Sequence, residues 1–183
     1  MNHIGTKTME TSRLILRRFK KDDSKDMFKN WASDPKVTKY LSWEAHENIK
    51  KSEDIINMWI SNYDDNTVYN WAIELKEANE VIGNIAVVSL DENNKSCEIG
   101  YCIGSSYWNK GIMTEAFQKV IEYLFKEVCI NRISAKHYVE NIASGKVMEK
   151  CKLTYEGTFR ELEFRKDRFW SLAVYSILRS EFN

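Results

Sequence analysis

The chain has a single proline, Pro35, among 183 residues. It has no proline-, glycine- or serine-rich tract, no internal repeat and no low-complexity segment, so nothing marks a linker and one domain over residues 1–183 is expected. Neither sign of charge is in excess, since 27 basic residues balance 27 acidic ones. That balance removes the global field that draws a protein to nucleic acid. No apolar run approaches the ~20 residues that span a bilayer, and residues 1–8 lack the apolar core of a signal peptide. The four cysteines, Cys97, Cys102, Cys129 and Cys151, form no C-x-x-C pair, and His3, His46 and His137 are scattered. Neither disulfides nor a metal centre are expected, and a reducing cytoplasm fits this composition best.

With 43% apolar and 13% aromatic residues the chain can bury a full core. Apolar spacing predicts a strand over 13–19 and a helix over 21–32 capped by Asp22 or Asp23. A helix over 48–63 follows, with Ile56, Trp59, Ile60 and Tyr63 on one face. Strands follow over 69–75, 81–90 and 96–103, with a hairpin turn at 91–95. Phe117, Val120, Ile121, Leu124, Phe125 and Val128 recur at the helical period and define a long amphipathic helix starting near Thr114, its expected N-cap. A strand over 132–138, a short helix over 144–151 and strands over 154–164 and 169–178 complete the map. Strands first, then alternating strands and helices, predict an α+β fold rather than a doubly wound sheet.

The stretch from Cys97 to Ala116 reads as a strand ending at Ile103 and Gly104, a loop with Asn109 and Gly111, and a helix start. A strand, a small-residue turn and a helix N-terminus together make an anion site, because backbone N–H groups and the positive helix end point the same way. The loop lacks the G-x-G-x-x-G glycines, and Lys110-Gly111-Ile112 has the wrong order for a Walker lysine. A cofactor pyrophosphate is the expected anion.

Trp108-Asn109-Lys110-Gly111-Ile112-Met113-Thr114-Glu115-Ala116 resembles the acetyl-CoA pyrophosphate loop of the GCN5-related N-acetyltransferase (GNAT) superfamily, in the branch of the ribosomal-protein acetyltransferases RimJ and RimL. Trp108 and Met113 depart from the superfamily pattern Gln/Arg-x-x-Gly-x-Gly/Ala; Gly111 keeps it. Thr11-Ser12-Arg13-Leu14 resembles the branch's opening strand. Asn141-Ile142-Ala143-Ser144 resembles its helix start, Glu156-Gly157-Thr158-Phe159-Arg160 a later strand, and Tyr175 a late tyrosine. The resemblance covers roughly residues 9–181. It implies a mostly antiparallel mixed sheet of six or seven strands, splayed in the middle and flanked by about four helices. It also implies acetyl-CoA as cofactor, held by Cys102, Ile103, Gly104, the loop from Trp108, Asn109, Lys110, Gly111, Ile112 and Met113 to Thr114, and Asn141, Ser144 and Lys150. Relatives usually have glycine where Lys152 stands, so the short helix is expected to end differently here.

Acetyl transfer to an amine needs the neutral amine, a path for its proton and a partner for the leaving thiolate. An α-amine with a pKa of about 7.7–8.0 needs less help than a lysine near about 10.4. Two glutamates qualify as base. Glu98 shares a strand face with Gly100 and Cys102, and the resemblance puts a catalytic glutamate there. Glu163 lies nineteen residues after Ser144, the spacing of the branch's proposed base. Each also reads as an ordinary solvated carboxylate. Ser144 reads as a helix N-cap, and by resemblance as the hydroxyl that bonds the departing sulfur. Cys102 has apolar neighbours and no nearby histidine, which speaks against a covalent acyl-enzyme.

Tyr40, Trp43, Trp59, Trp71 and Trp170 are candidate walls for the acceptor, with Glu44, Glu47, Glu161 and Glu163 available to attract a cation. Three readings stand: an N-acetyltransferase acting on a protein N-terminus by direct attack in a ternary complex, the same chemistry on a small amine, or an idle acyl-CoA-binding module. A homodimer stays open.

Overall fold

Leu14 and Leu16 are wholly buried while Ile15 and Arg17 between them are only half-buried, the period-two signature of a strand with one face on the core. The computed structural model describes residues 1–182. Eight strands form one sheet in the order β1-β2-β3-β4-β5-β6-β8-β7. They are β1 (Met9–Glu10), β2 (Leu14–Arg17), β3 (Asn70–Leu75), β4 (Glu80–Asp91), β5 (Ser96–Ile103), β6 (Arg132–Tyr138), β7 (Thr154–Arg165) and β8 (Arg168–Leu178). The helices are α1 (Asp23–Met27), α2 (Pro35–Thr38), α3 (Ile49–Ser61), α4 (Ile112–Tyr123) and α5 (Ile142–Lys150). The α+β expectation holds. The strand beyond the expected six or seven is β1, two residues paired with β2, with Met9 buried in the core and Glu10 bound to Lys76. β1 to β4 pair antiparallel in succession, as do β6 with β8 and β8 with β7. β5 and β6 are parallel and pair over only three residues each, Ser96 to Glu98 with Arg132 to Ser134.

The chain divides into two compact units. The first comprises His3–Ala86 and Tyr101–Lys119. Phe19, Met27, Trp31, Ala32, Val37, Ile56, Tyr63, Ala72 and Val81 form its buried cluster under α1 to α3. The single helix expected over 21–32 is instead α1 followed by a widened π turn, Phe28–Ala32. Side-chain bonds add to the widened ladder there: Ser33 Oγ donates to the Phe28 carbonyl at 2.6 Å, and Asn30 Nδ2 to the Val81 carbonyl at 2.8 Å. The wider turn puts Trp31 at zero exposure. Asn48 caps α3 by accepting from the Lys51 N–H, as an N-cap should.

The second unit comprises Met1–Asn2, Val87–Gly100 and the chain from Val120 to the end of the described residues. Val120, Ile121, Leu124, Phe125 and Val128 of the predicted stripe are buried, the last three in a π turn closed by Cys129 at φ 62°. α4 starts at Ile112, so Thr114 lies inside its first turn rather than capping it. α5 starts at Ile142, and its cap is Asn141, whose side chain accepts from the Ser144 N–H. Ser144 is therefore a first-turn residue, not the N-cap. Against the expectation that the short helix ends differently for want of a glycine, Lys152 itself takes the left-handed conformation, at φ 64°, at a cost of about 1–2 kcal/mol. β7 departs from regular register at Tyr155/Gly157 and again at Phe159/Glu163, where Glu161 has φ 52°. β7 and β8 join through Lys166 and Asp167, both at positive φ, the two-residue turn that suits strand twist.

Candidate active site

The loop after β5 belongs to the first unit. A Cβ on Gly104 would stand 2.3 Å from the Asn30 carbonyl oxygen, so only glycine lets the strand end pass there. Trp108 Nε1 donates back to the Ile103 carbonyl at 3.0 Å, and Ser105 Oγ donates to Asp34 at 2.6 Å. Asn109 at φ 61° and Gly111 at φ 71° then turn the chain into α4. A Cβ on Gly111 would meet nothing closer than Arg13 Nη2 at 3.7 Å, so the approach to its backbone is open. Ile112 and Met113 bury their side chains, leaving backbone as what they can offer a ligand. Left-handed turn residues followed by a helix start form the concavity of N–H groups that suits a pyrophosphate. The residues present fit that group.

Glu115, in the first turn of α4, is bound from the β1–β2 turn. One carboxylate oxygen accepts from Thr11 Oγ1 at 2.6 Å, Ser12 Oγ at 3.0 Å and the Arg13 N–H at 3.0 Å. The other accepts from Arg13 Nε and Nη2, each at 2.7 Å. Burial pushes this carboxyl up, but the bonds from Thr11, Arg13 and Ser12 outweigh it and hold the group down at about 2. In the sequence Glu115 stands only as part of the stretch from Trp108 to Ala116 that resembles the family loop, and its tie to Thr11-Ser12-Arg13 carries no sequence signal.

Cys102 Sγ donates to Asn84 Oδ1 at 3.0 Å, and Asn84 Nδ2 to Asn70 Oδ1 at 3.3 Å, a short polar chain beside the apolar cluster. Burial pushes the Cys102 thiol up to about 12, far from a nucleophile's range. Of the proposed acceptor walls, Trp71 is a core residue at zero exposure, its Nε1 donating to the Lys7 carbonyl. Trp43 lies against the His46 ring and Trp59 against Phe19, while Lys39 sits over Tyr40.

The second unit carries the acid–base candidates. Tyr138, the last residue of β6, donates its hydroxyl to Glu163 Oε2 at 2.8 Å. Arg165 Nη2 reaches the same oxygen at 3.1 Å. Burial first, and then the bond to Glu163, push the Tyr138 phenol up to about 12. Trp170 packs on Tyr138 with ring centres 4.6 Å apart. Glu98 is engaged elsewhere, 3.3 Å from Lys136 Nζ. The two glutamates thus have different partners, Lys136 for Glu98 and Tyr138 with Arg165 for Glu163.

Ser144 sits on the first turn of α5, beside Gly145, whose Cβ would lie 2.7 Å from His137 Nε2. That ring is pinned by its Nδ1, which donates to the Tyr138 carbonyl at 2.8 Å, and by packing at a tilt against Tyr175 with ring centres 5.6 Å apart. Tyr175 Oη in turn donates to Glu149 at 3.4 Å. Lys150 is exposed near the end of α5. Sequence reading missed Tyr138 as a partner of Glu163; register across β6, β8 and β7 brings them together. Among the described residues no group of three or more His, Cys, Asp or Glu could hold a metal ion, and no helix is long and apolar enough to cross a membrane.

Comparison with known proteins agrees with the fold. The family model for the acetyltransferase (GNAT) domain matches residues 13–154. The uncharacterized N-acetyltransferase p20 of Bacillus licheniformis is 34% identical over 175 residues, 96% of this chain and 98% of that protein. The ribosomal-protein-serine acetyltransferase of Escherichia coli is 29% identical over 97 residues, 53% of this chain and 54% of that one. A GNAT-family acetyltransferase from Bacillus anthracis superposes with a TM-score of 0.85 at 28% identity, covering 96% of this chain and 100% of that one. The chain belongs to the GNAT acetyltransferase family. It is an acetyltransferase, and the enzymes of this family use acetyl-CoA.

Proposed function

We propose that this acetyltransferase acts on the α-amine of a protein N-terminus, by direct attack while both substrates are bound. Acetyl-CoA supplies the activated thioester. The backbone from Trp108 to Thr114 holds its pyrophosphate, with Cys102, Ile103 and Gly104 offering strand-end backbone and Asn141 and Lys150 further polar contacts. Glu163 takes the proton that the amine loses as the C–N bond forms. Ser144 Oγ–H donates to the sulfur as the C–S bond breaks, and the thiolate then takes a proton from solvent. Glu98, engaged with Lys136, is architectural in this scheme.

The observation that carries the reading is the Glu163 carboxylate, fixed by the Tyr138 hydroxyl at 2.8 Å. A single positioned carboxylate suffices for an amine with a pKa of about 7.7–8.0, part of which is already neutral at cytoplasmic pH. The Cys102 thiol, raised to about 12 by burial, supports direct attack over an acyl-enzyme. The E. coli relative named for ribosomal protein serine supports a protein acceptor.

CoA-thiol release with acetyl-CoA over N-terminal peptides, lysine peptides, polyamines, amino acids and aminoglycosides tests the reading. Release confined to N-terminal peptides is expected; release with a small amine instead would replace the acceptor. Silence across the panel with acetyl-CoA bound would favour a binding module. Ser144→Ala should lower kcat about 100-fold while leaving acetyl-CoA affinity nearly intact. Equal loss in both would make Ser144 a cofactor contact.

A further inference from the structure

We propose that the Thr11-Ser12-Arg13 turn and Glu115 form a latch on the cofactor loop, with Arg13 a positioning residue for acetyl-CoA binding. The proposal rests on the reading that residues 108–114 receive the pyrophosphate.

A glutamate in the first turn of a helix favours the helix, since its charge meets the positive end of the dipole. At a helix end that must also take a pyrophosphate, the same carboxylate repels the ligand. Here both of its oxygens are engaged: one by Thr11 Oγ1, Ser12 Oγ and the Arg13 N–H, the other by Arg13 Nε and Nη2. The guanidinium cancels the charge where it would do harm. Arg13 also does something an ordinary ion pair does not, since its Nη1 donates to the Lys110 carbonyl at 2.9 Å. Its Nη2 stands 3.7 Å from where a side chain on Gly111 would begin.

One side chain therefore grips the loop at Lys110, just before the left-handed Gly111, and the helix at Glu115 just after it. Glu115 N–H closes the interval by donating to the Gly111 carbonyl at 3.1 Å. A surface ion pair alone is worth little. A fork that bridges two chain segments across a glycine limits the conformations this loop can take before ligand arrives. Affinity then depends on the latch, because apparent Kd rises as the binding-competent fraction falls.

The test uses Arg13→Ala, Glu115→Gln and the double variant, with acetyl-CoA and S-acetylpantetheine, which lacks the pyrophosphate, as probes. Arg13→Ala should raise KM and Kd for acetyl-CoA about tenfold, the change expected if the competent loop falls to about a tenth of the population. kcat at saturation should hold, and KM for S-acetylpantetheine should not move. Glu115→Gln should behave alike, and the double variant should be no worse than either single one. Thr11→Val, which removes the hydroxyl that bonds Glu115 and accepts from the Leu14 N–H but leaves the ion pair, should give a smaller rise and covers the case in which the others fold poorly. Unchanged acetyl-CoA affinity in Arg13→Ala, while Gly111→Glu abolishes binding, would overturn the latch and keep the loop. Unchanged affinity in Gly111→Glu would overturn the loop assignment itself. Additive losses in the double variant would mean that Arg13 touches the phosphate directly, which also overturns the latch.

Discussion

A methyl group added at Gly145 should damage both the fold and the chemistry. Helix α5 gains from Gly→Ala in isolation, by about 1 kcal/mol. In place, the new Cβ would lie 2.7 Å from His137 Nε2 and 3.0 Å from Cε1. Ordinary carbon contacts sit near about 3.5–4.0 Å, so one partner must yield by close to an ångström. His137 cannot swing away cheaply, because Nδ1 is bonded to the Tyr138 carbonyl and the ring packs at a tilt against Tyr175. Overpacking of this kind costs about 1–3 kcal/mol, and a pinned ring places it at the upper end. The net loss is about 2 kcal/mol, or a fall in Tm of about 4–8 °C for a chain of this length. Ser144, one residue earlier, moves with the displaced turn, so kcat for thiol release should fall more than acetyl-CoA affinity. Thermal melts of Gly145→Ala, His137→Ala and the double variant measure the overlap directly, since removing the ring should make the pair less damaging than the sum of its parts. A rise in Tm for Gly145→Ala alone, as at an unobstructed helix glycine, would refute the reasoning.

Tyr138→Phe removes the donor that holds Glu163, so kcat and its pH profile should change while KM for acetyl-CoA stays; an unaltered profile would detach Tyr138 from the chemistry. The Cys102 peptide should remain unacetylated after incubation with acetyl-CoA alone, checked by mass spectrometry, and a trapped thioester would sink direct attack. The Glu115 carboxyl, at about 2 in the folded chain against 4.5 ordinarily, contributes stability that is present above about pH 4.5 and lost as pH falls through 2. At this partly exposed site the contribution is about 2 kcal/mol after screening. Urea midpoints between pH 5 and pH 2 should therefore fall more steeply in the parent than in Glu115→Gln; parallel curves would refute it.

Elements carried by periodicity were legible before any coordinates. The α4 stripe from Phe117 to Val128 is buried as its spacing requires, and Asn48 caps α3 where a cap residue precedes the apolar face. Features fixed by contacts distant in sequence were not. The π turn at Phe28–Ala32 depends on Val81 and on the volume of Trp31. β1 rests on its pairing with β2, the burial of Met9 and the bond from Lys76 to Glu10. Periodicity did not fix the start of α5 at Ile142 after its cap Asn141, since a nine-residue helix offers too few apolar positions to place its end. Trp71 alternates like a wall residue and like a core residue alike, and only the register of β3 assigns it to the core. In the site, the loop and the two glutamates were visible as residue types. That Glu115 is tied to Thr11, about a hundred positions away, was not.

β7 is the outermost strand of the sheet, and Phe159, Leu162, Phe164 and the neighbouring Phe169 are each more than half exposed. Such a strand would ordinarily template the addition of another chain, and with it aggregation. Its two breaks in register, and the left-handed Glu161 within the second, spoil the even spacing of N–H and C=O groups that a visiting strand must match. Backbone shape therefore guards this border alongside the charged side chains of Glu156, Arg160 and Glu161. Insertions and deletions between Phe159 and Glu163 that restore a straight edge carry an association hazard independent of any effect on turnover. That hazard constrains which variants of this hairpin can be handled at all.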